Sequence, residues 1–383
     1  MPRTTRGDET LRGSPANVEP RLAVHAFTRY GRLGASSRVR LLQFLPGLSE
    51  QGLDVEVSEL LSDQYVATLY ASGIRSRSAV FAGYRRRIRE VAESHAPLTW
   101  VQQELLPWIP LALERLLVSV HAPLVVDIDD AIFHDYDRHP NRIVRGLFAQ
   151  KYDGIFERAR LVVAGSEYLA ARARAAGAPW VEIVPSVVPV TQYAVREHHD
   201  RKTLRIGWIG SPASQHYLEE LLPALDILAR EGAFELILIG ANRTLSTQMP
   251  VRMIPWTESG EKSILGEIDV GIMPLPDTPS ARGKCGYKLI QSMASGVPVV
   301  ASPVGANSTI VRDGVDGFHA SNTAEWVTAL LALRDDPDRR RRMGADARAH
   351  ALESYSLERW GPALAALLRR AASDGGSPML GEA

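Results

Sequence analysis

The alternation of short apolar runs with segments of helical spacing constrains the fold of this 383-residue chain most strongly. In the first half, it predicts strands at 22–27, 55–58, 98–101, 124–128, 161–164 and 181–184. In the second half, it predicts strands at 204–209, 234–239, 252–254, 270–273 and 297–301. Helical patterns lie between many of them, at 38–48, 84–94, 142–158, 168–176, 217–231, 287–294, 322–334 and 357–372. Strands that alternate with helices indicate parallel βαβ units, so the fold class is α/β.

The chain is too long for one average domain, and each half carries its own series of strands. We therefore predict two Rossmann-like domains, at 22–190 and 204–356, joined by a polar linker at 191–203. A last helix at 357–372 follows the second domain, and the polar ends, 1–21 and 373–383, are predicted to be disordered tails.

Composition excludes several classes of protein. The net charge is zero, which argues against a general nucleic-acid binder. The single cysteine, Cys285, excludes a disulfide framework and a Cys-rich zinc site. No apolar run reaches the roughly 18–20 residues of a membrane span, and the first residues lack the apolar core of a secretory signal. We expect a cytoplasmic protein. Six arginines between Arg75 and Arg89 suggest peripheral contact with the inner membrane face, although a solvated helix face explains them as well.

A loop, a helix and a strand follow one another between residues 283 and 302. Two lysines, Lys284 and Lys288, flank the start of the helix, and Gly283, Cys285 and Gly286 form the loop before it. Free backbone N–H groups and the helix dipole favour an anion at such a terminus. This pattern predicts a diphosphate cradle, and the alternative is an ordinary βα unit.

A small-residue loop follows the first predicted strand. Gly34, Ser36 and Ser37 precede Arg38 there. Such a loop lets the backbone approach a phosphate, and an arginine supplies a forked donor. The alternative is a flexible loop in which a serine caps the next helix.

A second candidate phosphate loop follows the first strand of the second half. Its glycines do not form the dinucleotide fingerprint G-x-G-x-x-G, which disfavours a dehydrogenase. Gly210 and Ser211 are nevertheless candidates for phosphate contact, and Ser214 is expected to cap the next helix. A simple turn with a helix cap explains these residues equally well.

An acidic cluster follows the predicted strand 124–128. It contains Asp127, Asp129, Asp130, His134, Asp135 and Asp137. Carboxylates can bind a divalent cation, or they can bind an acceptor hydroxyl and take its proton. A third interpretation is helix capping, and we favour the acceptor interpretation.

Several of these segments resemble one known family. The second half contains strand–GSP–helix at 206–221, GKCGYKLIQSMASGVPVVASPVGAN from Gly283 and IVRDGVDGFHA from Ile310. These segments resemble GT-B glycosyltransferases of the large retaining family 4 group, and GASSRVR and DIDDAIF match more loosely. The resemblance implies a GT-B fold with a C-terminal crossover helix. It also implies transfer of a sugar from a nucleotide-diphosphate sugar to an acceptor hydroxyl, with retention. The cations of the cradle leave a metal no necessary role, and we expect no cofactor.

The chain departs from this family at one pair of positions. Many members carry two glutamates eight positions apart, where this chain has Gly283 and Gln291. The resemblance implies that Gln291 holds the nucleotide ribose, since its amide can bond hydroxyls. Gly283 cannot make the first glutamate's sugar contact, so Asp277 or Lys284 compensates, the donor differs or activity is lost.

The layout of these motifs suggests the remaining roles, and the resemblance adds the contact with the base. Lys284, Lys288 and Arg38 would stabilise charge on the departing diphosphate, and Pro255 with Trp256 would border the base. Asp129 would be the acceptor-side carboxylate, supported by the neighbouring residues Asp127, Asp130 and His134. We thus expect Asp129, Arg38 and Lys284 to be catalytic. Two alternatives stay open, a GT-B-type sugar epimerase and a non-catalytic nucleotide-sugar binder.

Overall fold

The computed structural model describes residues 20–196 and 203–373. The first sheet has six parallel strands in the order β2-β1-β3-β4-β5-β6. Their bounds are β1 Leu22–Tyr30, β2 Leu53–Leu61, β3 Leu98–Gln102, β4 Leu124–Ile128, β5 Leu161–Ala164 and β6 Val181–Ile183. All six predicted strands form, and β1 and β2 are longer than the apolar pattern indicated.

Nine helices pack around this sheet in the described part of the chain. They are α1 Ala35–Arg40, α2 Leu45–Glu50, α3 Asp63–Ser72, α4 Arg77–Glu93, α5 Leu111–Leu117, α6 His134–Asp137, α7 Arg142–Phe148, α8 Lys151–Arg158 and α9 Glu167–Ala175. The predicted helix 38–48 is instead two short helices joined by a 3₁₀ turn at Leu42–Phe44. The helix predicted at 142–158 is likewise two helices, and α3 and α5 were not predicted.

The second sheet also has six parallel strands, in the order β12-β11-β10-β7-β8-β9. The strands are β7 Leu204–Ile209, β8 Phe234–Ile239, β9 Val251–Ile254, β10 Val270–Met273, β11 Val299–Ala301 and β12 Gly317–His319. The edge strand β12 was not predicted. Two parallel sheets with helices on their faces confirm the predicted α/β class with two Rossmann-like domains.

Eight helices belong to the second half of the described chain. They are α10 Leu222–Glu231, α11 Glu261–Ile264, α12 Pro279–Arg282, α13 Tyr287–Ala294, α14 Asn307–Ile310, α15 Thr323–Asp335, α16 Pro337–Ser354 and α17 Leu357–Ala372. The helix predicted at 217–231 becomes α-helical only at Leu222, because Pro223 is favoured in the first turn and not inside a helix. A 3₁₀ segment, Pro212–Leu221, precedes it.

The last helix packs on the first domain. Leu364, Ala365 and Leu368 of α17 join a buried cluster with Trp100 and Val125 of the first sheet. A backbone bridge between Val188 and Ser356 lies beside this crossing. The chain therefore returns to its first domain after completing the second.

A buried ion pair anchors the start of the linker to the second domain. An Arg196 Nη atom lies 2.5 Å from Asp269 Oδ1, and Asp269 Oδ2 accepts the backbone N–H of Arg205. Tyr193 is also buried, so the predicted linker 191–203 is packed at its start. Residues 197–202 of that predicted linker lie outside the described residues.

Candidate functional site

The two domains touch through the loops that follow their strands. Lys284 Nζ, in the loop before α13, lies 2.5 Å from Asp130 Oδ2, in the loop after β4. About a third of each side chain remains exposed. The carboxylate raises the pKa of Lys284 against the lowering effect of burial, so the lysine stays charged. The contact brings the predicted cradle and the predicted acidic cluster to one interdomain cleft.

Gly283 has a packing reason to be glycine. A Cβ atom on Gly283 would lie 2.2 Å from Cβ of Ala131, in the acidic loop. No side chain fits there without separating the loops of the two domains. Glycine in place of the family's glutamate therefore allows this loop to contact the acidic loop of the first domain. Asp277, one possible substitute, instead forms an exposed ion pair with Arg282.

Cys285 points into the first domain. Its side chain is buried and belongs to an apolar cluster with Ile128, Phe133 and Ala164. A Cβ on Gly165 would come within 2.6 Å of its Sγ. Burial raises the pKa of the thiol far above its usual range. The prediction that Cys285 contacts the donor is therefore wrong, and the residue packs the domain interface.

Lys288 is the cation of the cradle that stays available. It makes no ion pair or side-chain hydrogen bond within residues 20–196 and 203–373, and its Nζ lies 5.6 Å from the centre of the Trp208 ring. Its Cε would be 2.6 Å from a Cβ on Gly210, so it lies at the end of β7. Burial, and then the positive charge of Lys284, lower the pKa of Lys288 to about 8. A partly buried, unpaired ammonium of this kind favours an anionic ligand.

The loop after β7 contributes less than the sequence suggested. The N–H of Gly210 donates to the carbonyl of Ile239 at 3.0 Å, so this amide is not free for a phosphate. The hydroxyl of Ser214 turns back to the carbonyl of Ser211 at 3.1 Å. Gly286, in contrast, takes a left-handed φ of 66° directly before α13, whose first N–H groups have no partner within the helix.

A carboxylate that the sequence did not single out lies at the centre of the cleft. Glu261, at the start of α11, is 6% exposed. Its Oε2 accepts from Trp256 Nε1 at 3.0 Å and from Arg38 at 3.1 Å. Its Oε1 accepts from Tyr287 Oη at 3.1 Å and from Gln291 Nε2 at 2.5 Å. We call these five residues the Glu261 cluster.

Arg38 reaches the second domain through this cluster. Its guanidinium lies over the ring of Trp256, 4.6 Å from the ring centre. A second ion pair, between Arg32 and Glu258, also joins the loop after β1 to the loop after β9. Arg38 thus crosses the cleft. It contacts the region predicted to bind the nucleotide base, and it does not contact the lysines of the cradle.

Gln291 lies behind Glu261. It is 3% exposed, and its amide nitrogen also contacts the hydroxyl of Tyr193 at 3.3 Å. The amide nitrogen is therefore already engaged, and the nearest carboxylate comes from α11. A role for Gln291 in ribose binding stays a prediction for its carbonyl oxygen.

The small-residue loop before α1 serves packing at two positions. The hydroxyl of Ser37 is buried and donates a hydrogen bond to Gln102 Oε1 at 2.9 Å. The prediction that Ser37 contacts the nucleotide-sugar donor is therefore wrong. A Cβ on Gly34 would lie 2.5 Å from Cβ of Tyr30. Ser36 is half-buried and caps no helix, because Gly34 is the cap residue of α1.

Asp127 is a structural residue and not part of the acceptor side. It is 1% exposed, and Arg40 contacts it bidentately at 2.8 and 3.1 Å. Burial raises the pKa of Asp127 to about 6, and the Arg40 contact keeps the carboxylate ionised at neutral pH. The acceptor-side prediction for Asp127 is corrected, because the side chain faces the core.

His134 is also engaged. Its Nδ1 lies 2.8 Å from Asp137 Oδ1, and its Nε2 lies 2.9 Å from the hydroxyl of Tyr168. Neither ring nitrogen is left for an acceptor, so this predicted site residue orders the loop.

Asp129 remains the available carboxylate of the acidic loop. It is half-buried, and it accepts one side-chain hydrogen bond, from Gln103 Nε2 at 3.1 Å. Gln103 has a φ of 67°, and a non-glycine residue with positive φ is strained. This unusual backbone conformation lies directly after β3, at the residue whose side-chain amide bonds Asp129. Nothing in the sequence marked Gln103, since the strain depends on tertiary contacts.

A buried charge cluster supports the acidic loop. Lys151 Nζ lies 2.7 Å from Glu104 and 2.9 Å from Glu114, and the hydroxyl of Tyr136 donates to Glu104 at 2.9 Å. All four side chains are buried. Glu104 is thus satisfied by its neighbours, in contrast to Asp129.

Two further findings concern metals and membranes. Across residues 20–196 and 203–373, no group of three or more His, Cys, Asp or Glu side chains is placed to hold a metal ion. No helix in the same ranges has the length and apolarity that crossing a membrane requires.

The arginine-rich segment lies mostly on the surface. Arg75, Arg77, Arg85 and Arg89 are exposed, whereas Arg87 is buried and donates to the carbonyl of Thr28 at 2.6 Å. Large apolar side chains stand among them, with Tyr70 56%, Ile74 61% and Phe81 66% exposed. The RRRR run at 339–342 lies inside α16, and its Arg340 is buried.

A known protein family matches most of the second domain. Residues 203–336 match the model of "Glycosyl transferases group 1". A segment of 96 residues is 45% identical to D-inositol 3-phosphate glycosyltransferase of Nocardia farcinica, covering 21% of this chain and 21% of that protein. The enzyme of the same name from Streptomyces griseus is 38% identical over 98 residues, which is 25% of this chain and 21% of that protein. The matched part thus spans about a fifth of these relatives.

Comparison with solved structures covers the whole fold. Sucrose-phosphate synthase of Thermosynechococcus elongatus superposes with a TM-score of 0.68 at 14% identity, over 92% of this chain and 100% of that one. HepE of Anabaena, in complex with UDP-glucose, superposes with a TM-score of 0.67 at 15% identity, over 91% and 99%. Such low identity carries information about the fold alone. The chain therefore shares the two-domain fold of these proteins, and residues 203–336 of its second domain are similar to the glycosyl transferases group 1.

Proposed function

We propose that the protein transfers a sugar from a nucleotide-diphosphate sugar to an acceptor hydroxyl, with retention of configuration and without a metal ion. The observation that carries the proposal is Lys288, a half-buried ammonium without an anionic partner in the described chain. It belongs to the first turn of α13, and its side chain lies beside Gly210 at the end of β7. Ligands of open parallel sheets bind at the carboxyl ends of the strands, where this lysine lies.

The donor side follows from the charges around α13. The leaving diphosphate gains negative charge as the sugar bond breaks, and preorganised cations stabilise that charge. Lys288 supplies one cation directly, and Lys284 supplies a second next to it. The start of α13 adds N–H groups that lack partners within the helix. Positive charge from the protein takes the place that a divalent cation occupies in other sites. The HepE structure with UDP-glucose supports a donor of this class for the fold.

The acceptor side follows from Asp129. This carboxylate belongs to the loop that Lys284 contacts through Asp130, and it is close enough to Lys284 to help raise the pKa of that lysine. Asp129 accepts one side-chain hydrogen bond, from Gln103, so it keeps lone pairs that can accept a hydrogen bond from the hydroxyl of the sugar acceptor. Asp129 would orient that hydroxyl and take up its proton. In a retaining reaction, the hydroxyl attacks the face of the sugar from which the diphosphate leaves.

Transfer in the presence of excess EDTA tests the proposal. UDP-, GDP-, ADP- and dTDP-sugars are first ranked by thermal shift, since a ligand at a hundred times its Kd stabilises by about 2.7 kcal/mol. The best donor is then incubated with a panel of hydroxyl acceptors, and the anomeric configuration of the product is read by NMR. We expect acceptor-dependent transfer with retention that EDTA does not change. Recovery of activity only with Mg²⁺ or Mn²⁺ would contradict metal independence. An isomerised sugar formed without acceptor would indicate the epimerase, and binding without any turnover would indicate the non-catalytic binder.

We also propose that the exposed arginine-rich segment contacts an anionic membrane surface. Arg75, Arg77 and Arg85 supply charge, and Ile74 and Phe81 supply apolar anchors in the same segment. Sedimentation with vesicles measures this contact. We expect binding to vesicles that contain phosphatidylglycerol, weaker binding in high salt, and loss of binding when these three arginines become glutamates. Equal binding to neutral phosphatidylcholine vesicles would contradict the electrostatic contact.

A further inference from the structure

We propose that Glu261 binds the ribose hydroxyls of the nucleotide-sugar donor. Until the donor enters, Arg38 occupies the position of the nucleoside, beside Glu261 and over the ring of Trp256. The inference rests on the proposed function, because it concerns the nucleotide end of the same donor. Glu261 belongs to the loop and helix that follow β9, at the carboxyl edge of the second sheet. Glu261 lies in a different helix from Gln291 and thirty positions before it, yet the two side chains are hydrogen-bonded.

The bonds to Glu261 divide by domain. Trp256, Tyr287 and Gln291 belong to the second domain, as Glu261 does, so their bonds to the carboxylate need no residue of the first domain. Arg38 is the one member of the Glu261 cluster that comes from the first domain. When Arg38 withdraws, Oε2 of Glu261 regains accepting capacity. A buried carboxylate that loses a donor requires a replacement.

The face of Trp256 becomes free in the same movement. The guanidinium of Arg38 is planar, lies 4.6 Å from the ring centre and donates N–H groups to the adjacent carboxylate. A nucleoside has the same combination, a flat base for the ring and hydroxyl donors beside it. Arg38 therefore fills a place whose shape and hydrogen-bonding groups suit a nucleoside.

The position of Lys288 indicates on which side of the ribose the diphosphate would lie. Tyr287, which bonds Glu261, and Lys288, which lacks an anionic partner in the described chain, are adjacent residues in the first turn of α13. A ribose at Glu261 would thus place its diphosphate toward Lys288. A carboxylate repels phosphate and accepts hydroxyls, so Glu261 suits the sugar of the nucleotide and not its phosphates.

The ratio of affinities for a ribonucleotide and its deoxy forms tests this role. The ribonucleoside diphosphate that binds best among UDP, GDP and ADP is titrated calorimetrically, together with forms that lack the 2′- or the 3′-hydroxyl. Hydrogen bonds to a charged group predict that removing a bound hydroxyl weakens binding to the wild-type protein by about tenfold to a hundredfold. In Glu261→Ala we expect this ratio to fall to about one, and in the isosteric Glu261→Gln to between about twofold and tenfold.

Glu258→Gln is the matched control. Glu258 lies three residues earlier and also pairs with an arginine of the first domain, Arg32, but it is outside the Glu261 cluster. Its substitution removes an interdomain ion pair and should leave the hydroxyl discrimination at the wild-type ratio. A ratio unchanged in both Glu261 variants, with ribose and deoxy forms weakened equally, would overturn the inference and leave Glu261 a domain-closing residue. Absence of discrimination in the wild-type protein would overturn it as well. Absence of any nucleoside diphosphate binding would instead refute the proposed function itself.

Discussion

Replacing Asp129 by asparagine is expected to lower the rate of sugar transfer by about 10²-fold or more, while donor affinity stays within a few-fold. Asparagine keeps the size of the side chain and the bond from Gln103, but it cannot take a proton from the acceptor. Donor binding depends on the cations of the second domain, so it should change little. Steady-state kinetics for transfer and calorimetry for the donor separate these two effects.

Asp135→Asn is the control for this substitution. Asp135 lies in the same acidic loop, is exposed and has no assigned role. Its variant should transfer sugar at close to the wild-type rate. Full transfer by Asp129→Asn would mean that the acceptor hydroxyl is activated by another group. Glu104 is a poor substitute, because Lys151 and Tyr136 already occupy its carboxylate.

Replacing Asp127 by alanine is expected to lower the free energy of unfolding by about 3–5 kcal/mol. The substitution leaves the guanidinium of Arg40 buried without its carboxylate, and Arg40 is only 1% exposed. Urea denaturation measures the effect. Asp54→Ala, which breaks an ion pair whose partners are about half exposed, should leave the free energy of unfolding almost unchanged.

A double variant separates the buried charge from simple loss of packing. If an unpaired Arg40 causes the loss, Arg40→Met combined with Asp127→Leu should recover much of the stability, since apolar residues of similar volume often replace a buried ion pair well. Equal loss in the single and double variants would show that Asp127 acts through packing. Unchanged stability in Asp127→Ala would contradict the structural role.

The order of strands and helices could be predicted because it depends on local patterns. The buried strands β4, β5, β7, β8 and β10 and the helices α13 and α17 have the bounds that the apolar pattern indicated. The topology rule for parallel sheets then placed the loops after the strands at one cleft. The pattern missed α3 and α5, whose apolar side chains are partly exposed, and it missed the short edge strand β12.

The direction of individual side chains could not be predicted in the same way. Asp127 and Asp129 are two residues apart at the end of one strand, yet the first is buried against Arg40 and the second is half-buried and bonds Gln103. Cys285 and Ser37 are small residues in candidate loops, and both are buried in packing contacts. Glu261 gave no local signal, because its partners lie in three other segments of the chain.

In the proposed function, the cleft binds a nucleoside diphosphate through Lys288. This binding is measured by calorimetric titration of the best-binding nucleoside diphosphate into wild-type protein, Lys288→Met and the control Lys262→Met. Lys262 is close to the cleft but contacts Gln192 and not the cradle. The pKa of Lys288 is lowered to about 8, so the lysine is charged at pH 7 and loses its proton above pH 8.

For the wild-type protein and for Lys262→Met, we expect binding at pH 7 that weakens by about tenfold per pH unit above pH 8, because the anion must then bind together with a proton. For Lys288→Met, we expect binding at pH 7 to be weaker by about tenfold or more and this pH dependence to disappear. Equal affinity of Lys288→Met and wild-type protein, or no binding of any nucleoside diphosphate to the wild-type protein, would contradict the claim.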